Sequence, residues 1–141
     1  MTRWRFLAFQ YSPASRPLDE WQEGLEIDSF NRFSDILERL QVLPREQWRR
    51  PDFDVLHGDS YRGMGEIRFK ADRKVHRVFG WFGPSPMRFT FTLLHGCLKQ
   101  RSDLTPEYEL SRKRRDLVIA YGNLMTYDFA LKKRPPRKPE G

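Results

Sequence analysis

The chain is 141 residues long, the size of one domain, and its 38% hydrophobic and 14% aromatic residues can build a core without disulfide or metal support. The 26 Lys and Arg against 19 Asp and Glu give a formal charge of +7, the electrostatic footprint of a protein that meets nucleic acid or an acidic partner. One cysteine excludes an intrachain disulfide, no run approaches the roughly 20 apolar residues of a membrane span, and the N-terminal apolar stretch is too short for a signal peptide, so a cytoplasmic location is expected.

Residues 3–11 alternate, with Trp4, Phe6 and Ala8 on one parity and Arg3 and Arg5 on the other, which predicts a half-buried strand. From Leu18 to Leu43 the period becomes helical. Trp21 and Leu25 share a face, and Phe30, Phe33, Ile36, Leu37 and Leu40 form an apolar stripe that reads as core. Gly24 and Asp28-Ser29 divide this segment into two helices, with Asp28 or Ser29 as the second N-cap. Pro44 ends it, and residues 44–62 read as an irregular connection.

Three strands follow closely. Residues 65–70 alternate strictly, with Glu66, Arg68 and Lys70 on one face; residues 75–82 follow a turn at Asp72-Arg73-Lys74; residues 87–95 follow Gly83-Pro84-Ser85-Pro86. Such tight spacing predicts an antiparallel meander. Thr105 as N-cap, Pro106 in the first turn, and Glu107 and Glu109 against the positive dipole end predict a final helix to about Tyr121, where Gly122-Asn123 stops it. The basic, proline-rich stretch 132–139 predicts a disordered tail. The expected organisation is an α+β domain over 1–131 and a tail over 132–141.

No CxxC or HExxH and no clustered Asp/Glu/His spacing is present, so no metal or cofactor is expected. There is no phosphate loop, and Gly63-Met64-Gly65 lacks the third glycine and following helix of a dinucleotide fingerprint. Cys97 stands two residues after His95 and would share a strand face with it, but a lone cysteine reads first as core. His57 and His76 read as solvated or satisfied.

The succession Gly65-Glu66-Ile67-Arg68-Phe69-Lys70, His76-Arg77-Val78-Phe79, Leu93-Leu94-His95-Gly96-Cys97-Leu98-Lys99-Gln100-Arg101 and Thr105-Pro106-Glu107-Tyr108-Glu109 resembles the RelE/HigB toxin superfamily. It is most similar to the phage-derived HigB-like branch, over about residues 56–118. That branch shows a Glu-x-Arg strand, an Arg-Val strand, an apolar strand ending in Lys-Lys, and a Thr-Pro-x-x-Glu helix start.

The resemblance implies a small antiparallel sheet with two N-terminal helices on one face, a concave basic face opposite, and a C-terminal helix. It also implies an endoribonuclease that cleaves mRNA on the translating ribosome and is neutralised by a cognate antitoxin, expected to be a small helix-turn-helix protein. Carried over by position, Arg68, Arg77 and Lys99 match the family's functional basic residues, and Tyr108 matches a tyrosine near the active site of some members. Gln100 stands where a second lysine is common, with Arg101 as its substitute, and Ser111 where an alanine is usual.

The chemistry can be argued apart from the family. RNA carries its own nucleophile, the 2′-hydroxyl, so a nuclease must deprotonate it, stabilise the charged phosphorane and protonate the leaving oxygen. Arg and Lys serve the second task, but Arg cannot act as a base. The proton-transfer candidates are Lys99, favoured for its place among Arg68, Arg77 and Arg101, then His95, then Glu66. Glu66, Arg101, Tyr108, Arg112 and Arg115 are candidates for holding RNA. Against this, Glu66 and Arg68 can simply pair between strands, and the run 112–115 can be a solvated helix face. Two alternatives stand beside the nuclease: an inert relative that binds nucleic acid or a protein partner, and a gyrase-directed toxin on the same fold.

Overall fold

A six-stranded sheet with helices against both faces organises the chain in the computed structural model, which describes residues 3–100 and 102–135. The elements run β1 (Arg5–Phe9), α1 (Pro17–Glu23), α2 (Ile27–Val42), β2 (Phe53–Val55), β3 (Met64–Ala71), β4 (Lys74–Phe82), β5 (Thr90–Leu98), α3 (Thr105–Tyr121) and β6 (Thr126–Asp128). The class is α+β, as expected. Strand order is β2-β3-β4-β5-β1-β6.

The sheet is not wholly antiparallel. β1 runs parallel to β5, with Ala8 opposite Leu93, while every other neighbour is antiparallel. The physical reason is the long crossover: α1, α2 and the meander separate β1 from β5, and only a connection of that kind allows parallel pairing.

The apolar stripe of α2 is buried as predicted, with Phe30, Phe33, Ile36, Leu37 and Leu40 all shielded. It packs on Phe6, Ile67, Phe69, Val78 and Phe91 of the sheet to make the main core. A second, smaller core of Phe9, Met64, Leu94 and Val118 lies under α3 on the opposite face. β1 is therefore not half-buried: Leu7 and Phe9 are as shielded as Phe6 and Ala8, because helices cover both sides. The open face expected opposite α1 and α2 is likewise occupied over part of its length by α3.

Several local expectations are corrected. The N-cap of α2 is Glu26. Ser29 is turned inward instead, its backbone N–H donating to Asp72 Oδ2 at 3.1 Å, which ties α2 to the two-residue β3–β4 turn where Asp72 and Arg73 take positive φ. Thr105 opens α3 rather than capping it, and Asp103 Oδ1 accepts its N–H at 2.9 Å. The connection 44–62 contains β2 and two single 3-10 turns, and β6, which no periodicity announced, pairs with β1.

Residues 132–134 are docked, not free. Asn31 exchanges two 2.8 Å hydrogen bonds with the Arg134 backbone, Lys132 and Arg134 meet Glu23, and Lys133 lies 2.8 Å from Asp35 and 3.0 Å from Glu38. The acidic outer faces of α1 and α2 offset the like charges that argued against packing. The rest of the expected tail, 136–141, lies outside the described residues. Among the described residues, no helix is long and apolar enough to cross a membrane.

Candidate functional site

The pleat places Arg77 and Phe79 of β4 on the α3 side of the sheet, and His76 and Val78 on the α2 side. Register then decides which residues join Arg77. Arg68 lies opposite it on β3 and Cys97 opposite it on β5; Glu66 and His95 both lie opposite Phe79. β5 runs on past His95 to Leu98, so Cys97 shares the His95 face, and Lys99 is anchored just beyond by its N–H to Val75 O at 2.8 Å. The first turn of α3 borders this patch, with the Tyr108 ring edge-on to Phe79 at 5.3 Å.

Charge in the patch is mixed. Arg77 Nη1 donates to Glu66 Oε1 at 2.8 Å, and both residues are buried. Arg68 Nε sits 3.9 Å from the same oxygen, and Arg68 Nη1 sits 3.7 Å from Asp54 Oδ2 on β2. Burial lifts the Glu66 carboxyl above its ordinary range despite both guanidiniums. Glu66 Oε2 and Arg77 Nε are buried without hydrogen-bond partners. His95 Nε2 meets Glu107 Oε2. Burial pulls the imidazole below its usual value, against the pull of Glu107. The Cys97 thiol is pushed up to about 12, first by burial and then by the charges of Glu107 and Glu66. Burial likewise raises the Tyr108 phenol. Beside the patch, an open depression of about 310 Å³ is lined by Arg32, Asp52, Arg68, Lys70, Val75 and Arg77.

No family model, curated protein or solved structure matches the chain.

The fold therefore gathers Glu66, Arg68, Arg77, His95, Lys99 and Tyr108 on one face. Their exposure differs: Arg77 is 5% exposed and spent on Glu66, whereas Lys99 is open to solvent. Arg112 and Arg115 are not brought to the patch. Arg112 pairs with Glu109 at 2.8 Å and Asp116 at 3.2 Å, and Arg115 pairs with Asp116 at 3.1 Å, along α3 itself. Arg101 lies outside the described residues. Three residues of the patch were read otherwise from the sequence. Asp54 belongs to a strand too short to show a period. A lone cysteine such as Cys97 reads from the sequence as core, and Glu107 as a complement to the helix dipole. Although the sequence shows no clustered metal-ligand spacing, the fold brings the donor atoms of His95, Cys97 and Glu107 within 4.8 Å of one another. His95 and Cys97 share a face because β5 runs on to Leu98; Glu107 joins them only because the first turn of α3 lies beside the end of that strand.

Proposed function

We propose that this protein is an endoribonuclease of the RelE/HigB-like kind, cutting mRNA on the translating ribosome and held in check by a cognate antitoxin. The observation that carries this reading is the His95–Glu107 pair beside Arg68 and Arg77 on one sheet face, with Tyr108 of α3 bordering it and Lys99 just past the end of β5. The element order, a strand and two helices before a meander and a last helix, supports it too.

In this reading His95 takes the 2′-hydroxyl proton. Burial favours the neutral imidazole that a base must present, and Glu107 orients the ring and stabilises the imidazolium it becomes. Arg68 meets the phosphate, and Arg77 acts through Glu66 to hold Arg68 in place. Lys99 continues the His95-Cys97 alternation and supplies the donor for the leaving 5′ oxygen. This makes His95, rather than Lys99, the base.

The test is cleavage mapping with purified protein, on free RNA and on translating ribosomes, in excess EDTA. Cuts ending in 2′,3′-cyclic phosphate are expected. His95→Gln should slow them about 100-fold or more, the usual size of a general-base contribution, and Lys99→Ala should also slow them. Undiminished cutting by well-folded His95→Gln would overturn the assignment. The pairing of Arg77 with Glu66 and of Arg68 with Asp54 favours a second reading, a face that binds RNA without cutting it. Binding with intact RNA in the same assay would decide for that.

A further inference from the structure

At the junction of β5 and α3, three donors of different chemistry converge: the His95 imidazole, the Cys97 thiol and the Glu107 carboxylate. Their ligand atoms all lie within 4.8 Å of one another, and among the described residues no other His, Cys, Asp or Glu group of three does so. We propose that these three side chains form a binding site for a thiophilic divalent transition-metal ion, zinc above all, with a fourth position left to water or another exchangeable ligand.

The geometry allows it. Three atoms no more than 4.8 Å apart share a point at most about 2.8 Å from each. Zinc bonds of about 2.0–2.3 Å to N, O and S are then reached by small side-chain rotations. The backbone of the site is rigid. His95 and Cys97 point to one side of β5 as i and i+2, and Glu107 projects from the first turn of α3, whose Ser111 and Val118 are packed against the protein. Between the two ligands, Gly96 lets the Trp21 ring lie directly on the other side of the strand: a Cβ there would meet the ring at 2.4 Å.

The donor set selects the metal class. Imidazole and thiolate favour zinc and its neighbours over calcium or magnesium, which take oxygen ligands. A neutral imidazole, a thiolate and a carboxylate together carry two negative charges, which match a divalent ion in a half-buried place. Arg77 lies opposite Cys97 and Arg114 approaches His95, and both oppose a cation; Glu66, paired to Arg77, offsets the first. Binding transfers the thiol proton of Cys97 to solvent as the sulfur–metal bond forms, with no change of oxidation state. Three protein ligands with an open fourth position describe an exchangeable site rather than a closed structural one.

One consequence rests on the nuclease reading above: a metal held by His95 and Glu107 withdraws the carboxylate that orients the imidazole and stabilises its charged form, so occupancy switches cutting off. The site itself does not depend on that reading.

Cobalt(II) tests the site directly. Protein stripped with EDTA and desalted is titrated with Co²⁺, and a cobalt–thiolate charge-transfer absorption can arise only from Cys97, the sole cysteine. One equivalent should saturate the band, with the visible absorption of tetrahedral cobalt, and Zn²⁺ should abolish it by displacement. Cys97→Ser should lose the band, and His95→Gln and Glu107→Gln should each weaken binding by at least about tenfold, the smallest loss usual even for outer partners of a metal site. Zinc should also protect Cys97 of the wild type from alkylation by iodoacetamide, read by mass, which needs no variant to fold. Absence of a thiolate band, or alkylation as fast with zinc as without, overturns the site. If stripped protein cuts RNA, zinc should slow it and EDTA restore it. Cutting that is indifferent to zinc occupancy overturns the switch but not the site, whereas a stripped protein that binds cobalt and never cuts refutes the nuclease reading alone.

Discussion

Arg77→Ala is expected to lower stability as well as any activity. The guanidinium is 5% exposed and its Nη1 donates to Glu66 Oε1 at 2.8 Å, with Glu66 itself 7% exposed. Removing one member of a buried pair leaves the other charge uncompensated, at a cost of about 3–5 kcal/mol. Arg68 Nε, 3.9 Å from the same carboxylate oxygen, relieves part of that, so the lower end of about 3 kcal/mol is expected. For a domain of this size that is a fall in Tm of roughly 10 °C.

The loss should also depend on pH in one direction. Burial already holds the Glu66 carboxyl above its ordinary range, and losing Arg77 raises its folded pKa further while the unfolded value stays near about 4.3. Such a group costs nothing when protonated in both states, and the cost accrues as pH rises from the unfolded pKa toward the folded one. The deficit of Arg77→Ala should therefore be smaller at pH 5 than at pH 8. Urea unfolding followed by far-ultraviolet circular dichroism at both pH values measures it. Glu66→Leu combined with Arg77→Met should return to within about 1 kcal/mol of the wild type, since no buried charge remains. If Arg77→Ala lies within about half a kcal/mol of wild type at pH 8, or the double variant is as unstable as the single one, the buried-pair reasoning is refuted.

Gly96→Ala should cost about 1–3 kcal/mol in urea unfolding, because the new methyl would sit 2.4 Å from the Trp21 ring; an unchanged midpoint would mean that α1 yields freely there. Truncation after Leu131 should lower stability by about 1–2 kcal/mol, because the buried Ser34 hydroxyl loses its acceptor, the Lys132 carbonyl. An identical melting curve would show that the docked segment contributes nothing. Burial depresses the His76 imidazole, held between Ser29, Trp21 and Phe69, so its contribution is fully present above the unfolded value of about 6.5 and is lost as pH falls below it. His95 acts with the same sign, and Asp72, kept low by Ser29, joins only in the carboxylate range. His76→Gln should thus flatten, not abolish, the decline in stability between pH 7.5 and 5.5, and parallel slopes for the two proteins would contradict this.

What was legible along the chain is what one element imposes on its own residues. The stripe from Phe30 to Leu40 repeats at the helical period because one face of α2 must be buried, and residues 65–70 alternate because a pleated strand offers two faces. The Thr105-Pro106-Glu107 start of α3 was likewise visible, since unsatisfied N–H groups and the dipole select those residue types locally. The α+β class followed from strand parity, helical period and short turns, whereas the meeting of Arg68, Arg77 and His95 on one meander face is given by the β3–β4–β5 register. β2 and β6, three residues each, carry no period; they are strands because β3 and β1 present edges to them. An Arg inside an apolar strand could be recognised as needing a partner, but that the partner is Glu66 depends on the β3–β4 register. The sequence by itself determined the helices, the central meander and the chemistry of the residues on its face. The parallel β1–β5 pairing, the cover of α3 over part of that face and the meeting of Glu107 with His95 and Cys97 were decided only by the tertiary structure. Hydrophobic period encodes which way a side chain points within its own element; which distant charge or donor it meets is set by how crossovers and turns close across the sheet.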